Sequence, residues 1–546
     1  MRNVGTTLSV LAAGVLTVVF VGCSGGTNPS QNPDGGQVGT ACSETNDCFT
    51  GLLCEDGTCH ATALPDGGLL PDGGQTDGGH ILPDGGACVG LECQQVTCAD
   101  GGTTSITGKV YDPSGQVPLY NAVVYVPNGP VLPITDGVTC DVCGASTTGN
   151  PLVITLTNSS GAFRLDNVPA GVSVPLVYQI GKWRRQITLP AVSACTTTPL
   201  TDVNQQRMPR NHTEGDIPRI AIATGDADPF ECLLYKMGID PAEMELPGGG
   251  GRIDMYDQNG MKRATDAGSD SVAASQLWSD AGTLAHYDIV LLPCEGGAHT
   301  KSSAAVQNMV NYANAGGRVF ATHFSYVWTK PGWPTAADWQ TGQSYQDDTP
   351  GYAAKLDTSF PKAQAFGEWL GNVGALSGGL LPIHEARHDV NSVNLDGGTS
   401  RWLYTDDFPN DNGTSSGKPA IQELSFNTPY DPPPAPDGGP GLQCGRVVFP
   451  DFHVTANAIY DGGTKVFPTS CKPAAEAPLT PQEKALIFML FDVSSCIQSD
   501  STAPTTCSGV GTSCSTAAGC CSGLACVDGD FNTCAGGACS CQVIIN

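Results

Sequence analysis

The stretch NYANAGGRVFATHFS, residues 311–325, sets the reading of the largest part of this chain. It is the end of a helix, a Gly-Gly turn, a short apolar strand and a Thr-His pair where that strand stops. The same alternation runs upstream. Residues 217–225 read as a buried strand, ADPFECLLYKMGID (227–240) as a helix and GRIDMYD (251–257) as a second strand. AASQLWSDAGTL (273–284) reads as a helix, YDIVLLPC (287–294) as a third strand, and residues 302–317 as the helix before the strand in the opening stretch. Continuous apolar strands alternating with helices predict a parallel sheet covered on both faces, an α/β core over 217–497. A late strand, CGRVVFPDFHV (444–454), and a helix in APLTPQEKALIFMLFDVSSC (477–496) complete it. In that helix Thr480 is the predicted N-cap, Pro481 fits the first position, Glu483 closes a capping box, and Leu486, Ile487, Leu490 and Phe491 form the buried stripe. The body is expected to end near Cys496, and residues 331–440 read as an insertion. No GxGxxG follows the first strand, so no dinucleotide, and no other cofactor, is expected.

At 546 residues the chain suggests several domains. Its net charge of −28, from 25 Lys+Arg against 53 Asp+Glu, excludes a phosphate-binding surface of the nucleic-acid type. Residues 1–22 read as a signal peptide, because an apolar run from Val10 to Val21 follows a single Arg and ends at Gly22-Cys23. FVGC resembles a bacterial lipobox, with Phe20 where Leu is commoner; the resemblance implies cleavage before Cys23 and diacylation of its thiol. Ser24 is not the Asp associated with inner-membrane retention, so an outer-membrane lipoprotein, periplasmic or surface-exposed, is expected. After a linker (23–41) and a Cys-rich module (42–59), residues 60–87 repeat Asp-Gly-Gly four times and read as a stalk. A Cys-containing connector fills 88–103.

Cysteine parity is informative. Of 24 cysteines, removing Cys23 leaves 23. Four sit in the N-terminal cluster (Cys42, Cys48, Cys54, Cys59) and eight in a C-terminal module, residues 507–546, with knottin-like spacing. CSETNDCFTGLLCEDGTC (42–59) repeats in CSTAAGCCSGLACVDGDFNTC (514–534). Such modules cannot bury enough apolar surface alone and are stapled instead. Eleven cysteines remain between, so one thiol stays free, and Cys294 at the end of the third strand is the predicted one. Cys140-Asp-Val-Cys143 is expected to form a loop disulfide.

Residues 104–207 alternate short β-branched runs with Gly- and Pro-rich turns, the pattern of a small antiparallel β-sandwich. Gly108, Val110, Asp112, Gly115, Pro118, Leu119, Ala122 and Val124, then Gly161, Phe163, Leu165 and Val168–Gly171, resemble the carboxypeptidase regulatory-like domain, which implies a non-catalytic accessory module. The core, over 217–330 and 440–497, resembles the glutamine-amidotransferase-like superfamily, closest to its trehalose-utilisation-type branch. That resemblance implies a flavodoxin-like sheet with His323 at the position of the amidotransferase cysteine and a partner histidine at His453.

Ligands of open parallel sheets bind outside the carboxyl ends of the strands. Cys294, Glu295, His323, Asp451 and His453 fall there and form the predicted site. A histidine can serve as general base, and two with a carboxylate can hold a metal. Elsewhere His384-Glu385-Ala-Arg-His388 matches HExxH, but Pro382 leaves no preceding helical turn and no third ligand follows, so no metal is expected on His384 and His388. The expected function is binding or adhesion at the envelope, with a small polar or carbohydrate ligand in the core or a surface-protein partner. A hydrolase or carbohydrate-modifying enzyme using the His323/His453 edge is the alternative, and an HExxH zinc protease the third. The anchor has a direct test: Cys23→Ser should move the protein out of the membrane fraction, and a variant still wholly membrane-bound would refute lipidation.

Overall fold

The computed structural model describes residues 88–99 and 101–506, apart from gaps at 144–146, 266–267, 341–345, 348–352, 410–413, 415, 435–440 and 455–464, together with 52–55, 58–61 and parts of 509–543. The signal peptide, Cys23 and the stalk lie outside the described residues. Of the N-terminal cysteine module, two antiparallel strands, Leu52–Glu55 and Thr58–Ala61, are described. They belong to a small unit of their own, and residues 79–544 form the other compact unit. The protein is multidomain and sheet-rich, with few helices and several disulfides. No helix among the described residues is long and apolar enough to cross a membrane.

The largest sheet has ten strands. Its elements in chain order are β1 (Ile220–Gly225), α1 (Phe230–Lys236), β2 (Ile253–Gln258), β3 (Ile289–Leu292), α2 (Ser303–Asn314), β4 (Arg318–Ala321), α3 (Tyr326–Gly332), β5 (Ala353–Leu356), α4 (Pro361–Asn372), β6 (Ser400–Thr405), β7 (Ala420–Thr428), β8 (Gly445–Pro450) and α5 (Pro481–Ser494). Strands β2, β1, β3, β4 and β8 neighbour one another in that order and pair parallel, with Met244–Glu245 outside β2. Strands β7, β6 and β5 then continue beyond β8 by antiparallel pairing. Every residue of β1, β3, β4, β7 and β8 is buried. Residues 331–440, read as an insertion, contribute strands to the same sheet: β7 is buried along its nine residues, six of which pair along the whole of β8. One expectation changes here. The helix expected over 273–284 breaks in two, Ser275–Ser279 and Ala281–Ala285. Asp280 between them is extended and caps the second piece by accepting from the Gly282 and Thr283 amides.

Residues 104–207 form two facing sheets. One pairs Ala162–Asp166, Ser105–Lys109 and Thr197–Pro199, the other Pro151–Leu156, Val123–Pro127, Val174–Ile180 and Trp183–Leu189. Their shared apolar core runs on into the large sheet through α5. Thr480 and Glu483 form the predicted capping box, but eleven of the helix's 14 residues are buried rather than one stripe. A helix apolar nearly all round belongs between two layers. Phe491 meets Trp183 of the sandwich at 5.6 Å, and Phe488 stacks on Tyr120 at 5.8 Å. Gly181 has φ +52° where the chain crosses Ser494; a Cβ there would collide with the Ser494 carbonyl.

Ten of the eleven core cysteines pair: 88–93, 98–195, 140–444, 143–496 and 232–471. Cys140 and Cys143 do not close on each other. They tie one sandwich loop to the start of β8 and to the segment after α5. In the C-terminal module 514–526, 520–541 and 534–539 are joined. The ordered body passes Cys496, since Asp500 accepts from Arg446 and Ser400 and pairs with Lys362.

Helices α1 and α5 are joined by a fully buried ion pair, Lys236 Nζ lying 2.7 Å from both Glu483 oxygens. Removing one member of such a pair strands the other's charge. Lys236→Met should therefore cost about 3–5 kcal/mol in chemical denaturation, with Lys236→Met/Glu483→Gln recovering part of it; a loss under ~1 kcal/mol would show the pair to be solvated.

Candidate functional site

Four of the parallel strands, β1, β3, β4 and β8, deliver their carboxyl ends to one place. Cys294 lies two residues past β3, His323 two past β4, and His453 three past β8. Gly225 ends β1 without a side chain, so the Cys294 carbonyl crosses directly over it and accepts from the Ala227 amide at 3.3 Å. Asp228 follows, held out of α1 because Pro229 takes the cap position. His323 opens a short 3₁₀ turn, His323–Ser325, at φ +49°. Left-handed backbone at a non-glycine residue costs roughly 1 kcal/mol or more and persists only where the surroundings impose it.

The side chains meet in the interior. Cys294 Sγ lies 3.3 Å from His323 Nδ1. The His323 and His453 rings stack at 3.7 Å and 22°. His453 Nδ1 lies 2.6 Å from Asp228 Oδ1, and Glu385 Oε2 lies 3.5 Å from His453 Nε2. Cys294 and His323 are fully buried and His453 nearly so. His323 Nε2 is buried without a hydrogen-bond partner.

The protonation states follow from burial and charge. Burial resists charge on His453, but the Asp228 carboxylate outweighs it and raises the pKa. His323 is pushed well below the usual histidine value by burial, by the neighbouring His453 charge and by Arg387. Burial and then Asp228 raise the Cys294 thiol. The three groups are thus biased differently: His323 and Cys294 toward their uncharged forms, His453 toward its charged form.

Of the five predicted site residues, Cys294, His323 and His453 come together. Cys294 is also the free cysteine of the described residues. Glu295 bonds Lys301 and Gln258 instead. Asp451 accepts from the Asp389 amide at 2.7 Å and its carbonyl takes the Arg387 amide, so it shapes the neighbouring loop. In that loop Arg387 pairs with Asp389 and lies 4.0 Å over the Phe324 ring.

The HEARH stretch forms no helix. Leu381–Pro382 and Ala386–Arg387 are two-residue strands with Glu385 between them at φ +52°. His388 Nε2 lies 3.0 Å from Asn391 Oδ1, while the His384 amide donates to Gln482. The i, i+4 helical face a zinc protease needs is therefore absent. Pro382 and the sheet pairing of Ala353 and Ala354 with residues 381–382 hold the segment extended. Two residues of the site escaped the sequence reading. Asp228 falls inside the helix expected over 227–240, though Asp-Pro just past a buried strand marks a strand end. Glu385 reaches His453 only through the chain reversal at its own positive φ.

No protein-family model matches the chain, and no curated protein matches it. Among solved structures it is similar to a cytoplasmic protein from Salmonella typhimurium, 9% identical over 50% of this chain and 98% of that one, with a TM-score of 0.27. A ThuA-like protein from Parabacteroides merdae is 11% identical over 59% of this chain and 96% of its own, TM-score 0.25. A cold-adapted β-galactosidase from Rahnella sp. R3 is 12% identical over 43% and 29%, TM-score 0.20. Likenesses this slight carry no weight for fold or activity.

The Asp228–His453 pair has a defined pH signature. Because the folded His453 pKa is raised, its contribution is complete below the ordinary histidine value of 6.5 and lost as pH rises through the raised value. His323 acts oppositely, and its contribution is lost as pH falls below 6.5. Asp228→Asn should bring the NMR titration of the His453 ring below 6.5. It should also cost about 2–3 kcal/mol in acid, shrinking toward alkaline pH. An unmoved His453 titration would break the assignment.

Proposed function

We propose that the protein is a cell-envelope lipoprotein, held by lipid on Cys23 and raised on its Asp-Gly-Gly stalk. Its core, of the amidotransferase-like, trehalose-utilisation-type arrangement, binds a small polar ligand at the strand ends, saccharides being the first class to test. The parallel pairing of β2, β1, β3, β4 and β8 supports the arrangement. One observation carries the ligand reading: His323 combines left-handed backbone with a buried, unpartnered Nε2. A residue kept for packing alone gains nothing from either cost, whereas a ligand group reaching Nε2 offsets the second. Cys294, His323 and His453 are buried, and Glu385, with a side chain 37% exposed, is the most open of the four residues, so a small ligand is the first to test.

A second reading, a hydrolase, is favoured by His323, which burial keeps uncharged well below the usual histidine value, since an uncharged imidazole can take a proton. Cys294 does not serve as nucleophile in that reading, because nucleophilic cysteines need a lowered pKa and this one is raised.

Thermal denaturation with mono- and disaccharides tests the first reading. A ligand at ten times its dissociation constant adds about 1.4 kcal/mol, or roughly 1–2 °C in Tm for a body of this size, and His323→Ala should abolish the shift. Absence of any shift across the panel would remove saccharides, and cleavage of nitrophenyl glycosides or esters that His323→Ala eliminates would establish the hydrolase instead.

A further inference from the structure

We infer that Cys294, His323 and His453 are the ligands of a divalent transition ion of the zinc and cobalt class, with Glu385 as its rim-side neighbour. The inference names an occupant for the strand-end site proposed above and rests on that reading. One ligand atom from each of the three residues lies within 4.8 Å of the others, and all three residues are buried. A thiolate with two imidazoles is the donor set that selects zinc-like ions over calcium or magnesium.

The surroundings match such a centre. His453 gives Nδ1 to the Asp228 carboxylate, which fixes the ring and leaves Nε2 for the ion. Asp228 is itself held by the Val454 amide at 2.9 Å, Thr322 Oγ1 at 2.5 Å and the Cys294 amide at 3.2 Å. The Gly296 amide points at Cys294 Sγ at 3.4 Å, a donor suited to sulfur carrying negative charge. His323 Nε2, buried and unpartnered, is the independent sign that a group is wanted here. Glu385 Oε2 already stands 3.5 Å from His453 Nε2.

A shared ion must lie in the plane of each ring, so the stacked imidazoles cannot both face it as they stand. Tetrahedral bonds of about 2.0–2.3 Å require the ligand atoms to close to roughly 3.5 Å. His323 is the ring that turns, since its Nε2 is unpartnered and its Nδ1 contact, 3.3 Å to the Cys294 sulfur, is with a fellow ligand, while His453 is fixed by Asp228. Coordination needs a thiolate and an unprotonated Nε2 on each ring, so the S–H proton of Cys294 and any proton on the bound imidazole nitrogens leave to solvent; no electron is transferred.

Full-length protein, purified without reducing agent and stripped with chelator, is titrated with Co2+. A thiolate-to-cobalt charge-transfer band saturating at one ion per chain is expected. Cys294→Ser should abolish the band, and Asp228→Asn should keep it with affinity weakened ~10–100-fold. His388→Ala, outside the site, should bind as the natural protein does, and circular dichroism checks that each variant is folded. A folded wild type without the band, or a band surviving Cys294→Ser, overturns the inference. If the band is absent while the saccharide shift persists, the ion alone is wrong; loss of both removes the strand-end ligand site as well.

Discussion

The carboxylate of Asp228 is the point on which the sheet's working edge depends. It is fully buried and accepts four hydrogen bonds from three directions: the Cys294 amide beyond β3, the Thr322 hydroxyl beyond β4, and the ring of His453 with the Val454 amide beyond β8. Its own backbone follows β1. A buried carboxylate is stable only when its charge is met by donors, and here those donors are the ends of the neighbouring strands. The requirement that fixes the carboxylate therefore also fixes the relative positions of Cys294, His323 and His453. Glu231, one turn on in α1, shows the contrast, since burial pushes its carboxyl up to about 8.

A second buried network holds the layers behind that edge. Arg446 of β8 binds Asp492 of α5 and Asp500 beyond it, and Lys362 of α4 reaches the same two carboxylates. Such clusters add little stability over apolar packing but tolerate few geometries. This one brackets α5 between the sheet and the sandwich, where Phe488 and Phe491 supply the apolar contact. Disulfides 140–444 and 143–496 close the same seam covalently. The site is thus framed by helices whose positions are set from the far side by charge and from the sandwich side by packing.

Much of the fold was legible. The apolar runs at β1, β3, β4 and β8 appear where their composition predicts, since strands covered on both faces carry continuous rather than alternating apolar residues. Thr480 and Glu483 announced the α5 cap because a capping box is a local matter of four residues. The standing of residues 331–440 was hidden: β7 is recognisable as a strand, but which neighbour it pairs with depends on hydrogen bonds across a separation that composition does not encode. The division of the 273–284 helix turned on one aspartate, whose preference for a cap outweighed the helical pattern around it.

By itself the sequence determined the odd number of cysteines in the core and hence a free thiol there, the strand-end position of Cys294, His323 and His453, and the lack of a helical turn before HEARH that Pro382 imposes. These depend on counting, short-range periodicity and single-residue stereochemistry. Only the tertiary structure decided that Asp228 joins the histidines, that Glu295 and Asp451 turn to other partners, and that Glu385 arrives from a motif whose histidines play no part. Parallel strands bring residues more than two hundred positions apart to one edge. Which of two carboxylates at such an edge faces inward is then fixed by side-chain direction and by the donors that cancel its charge, and both belong to the assembled sheet.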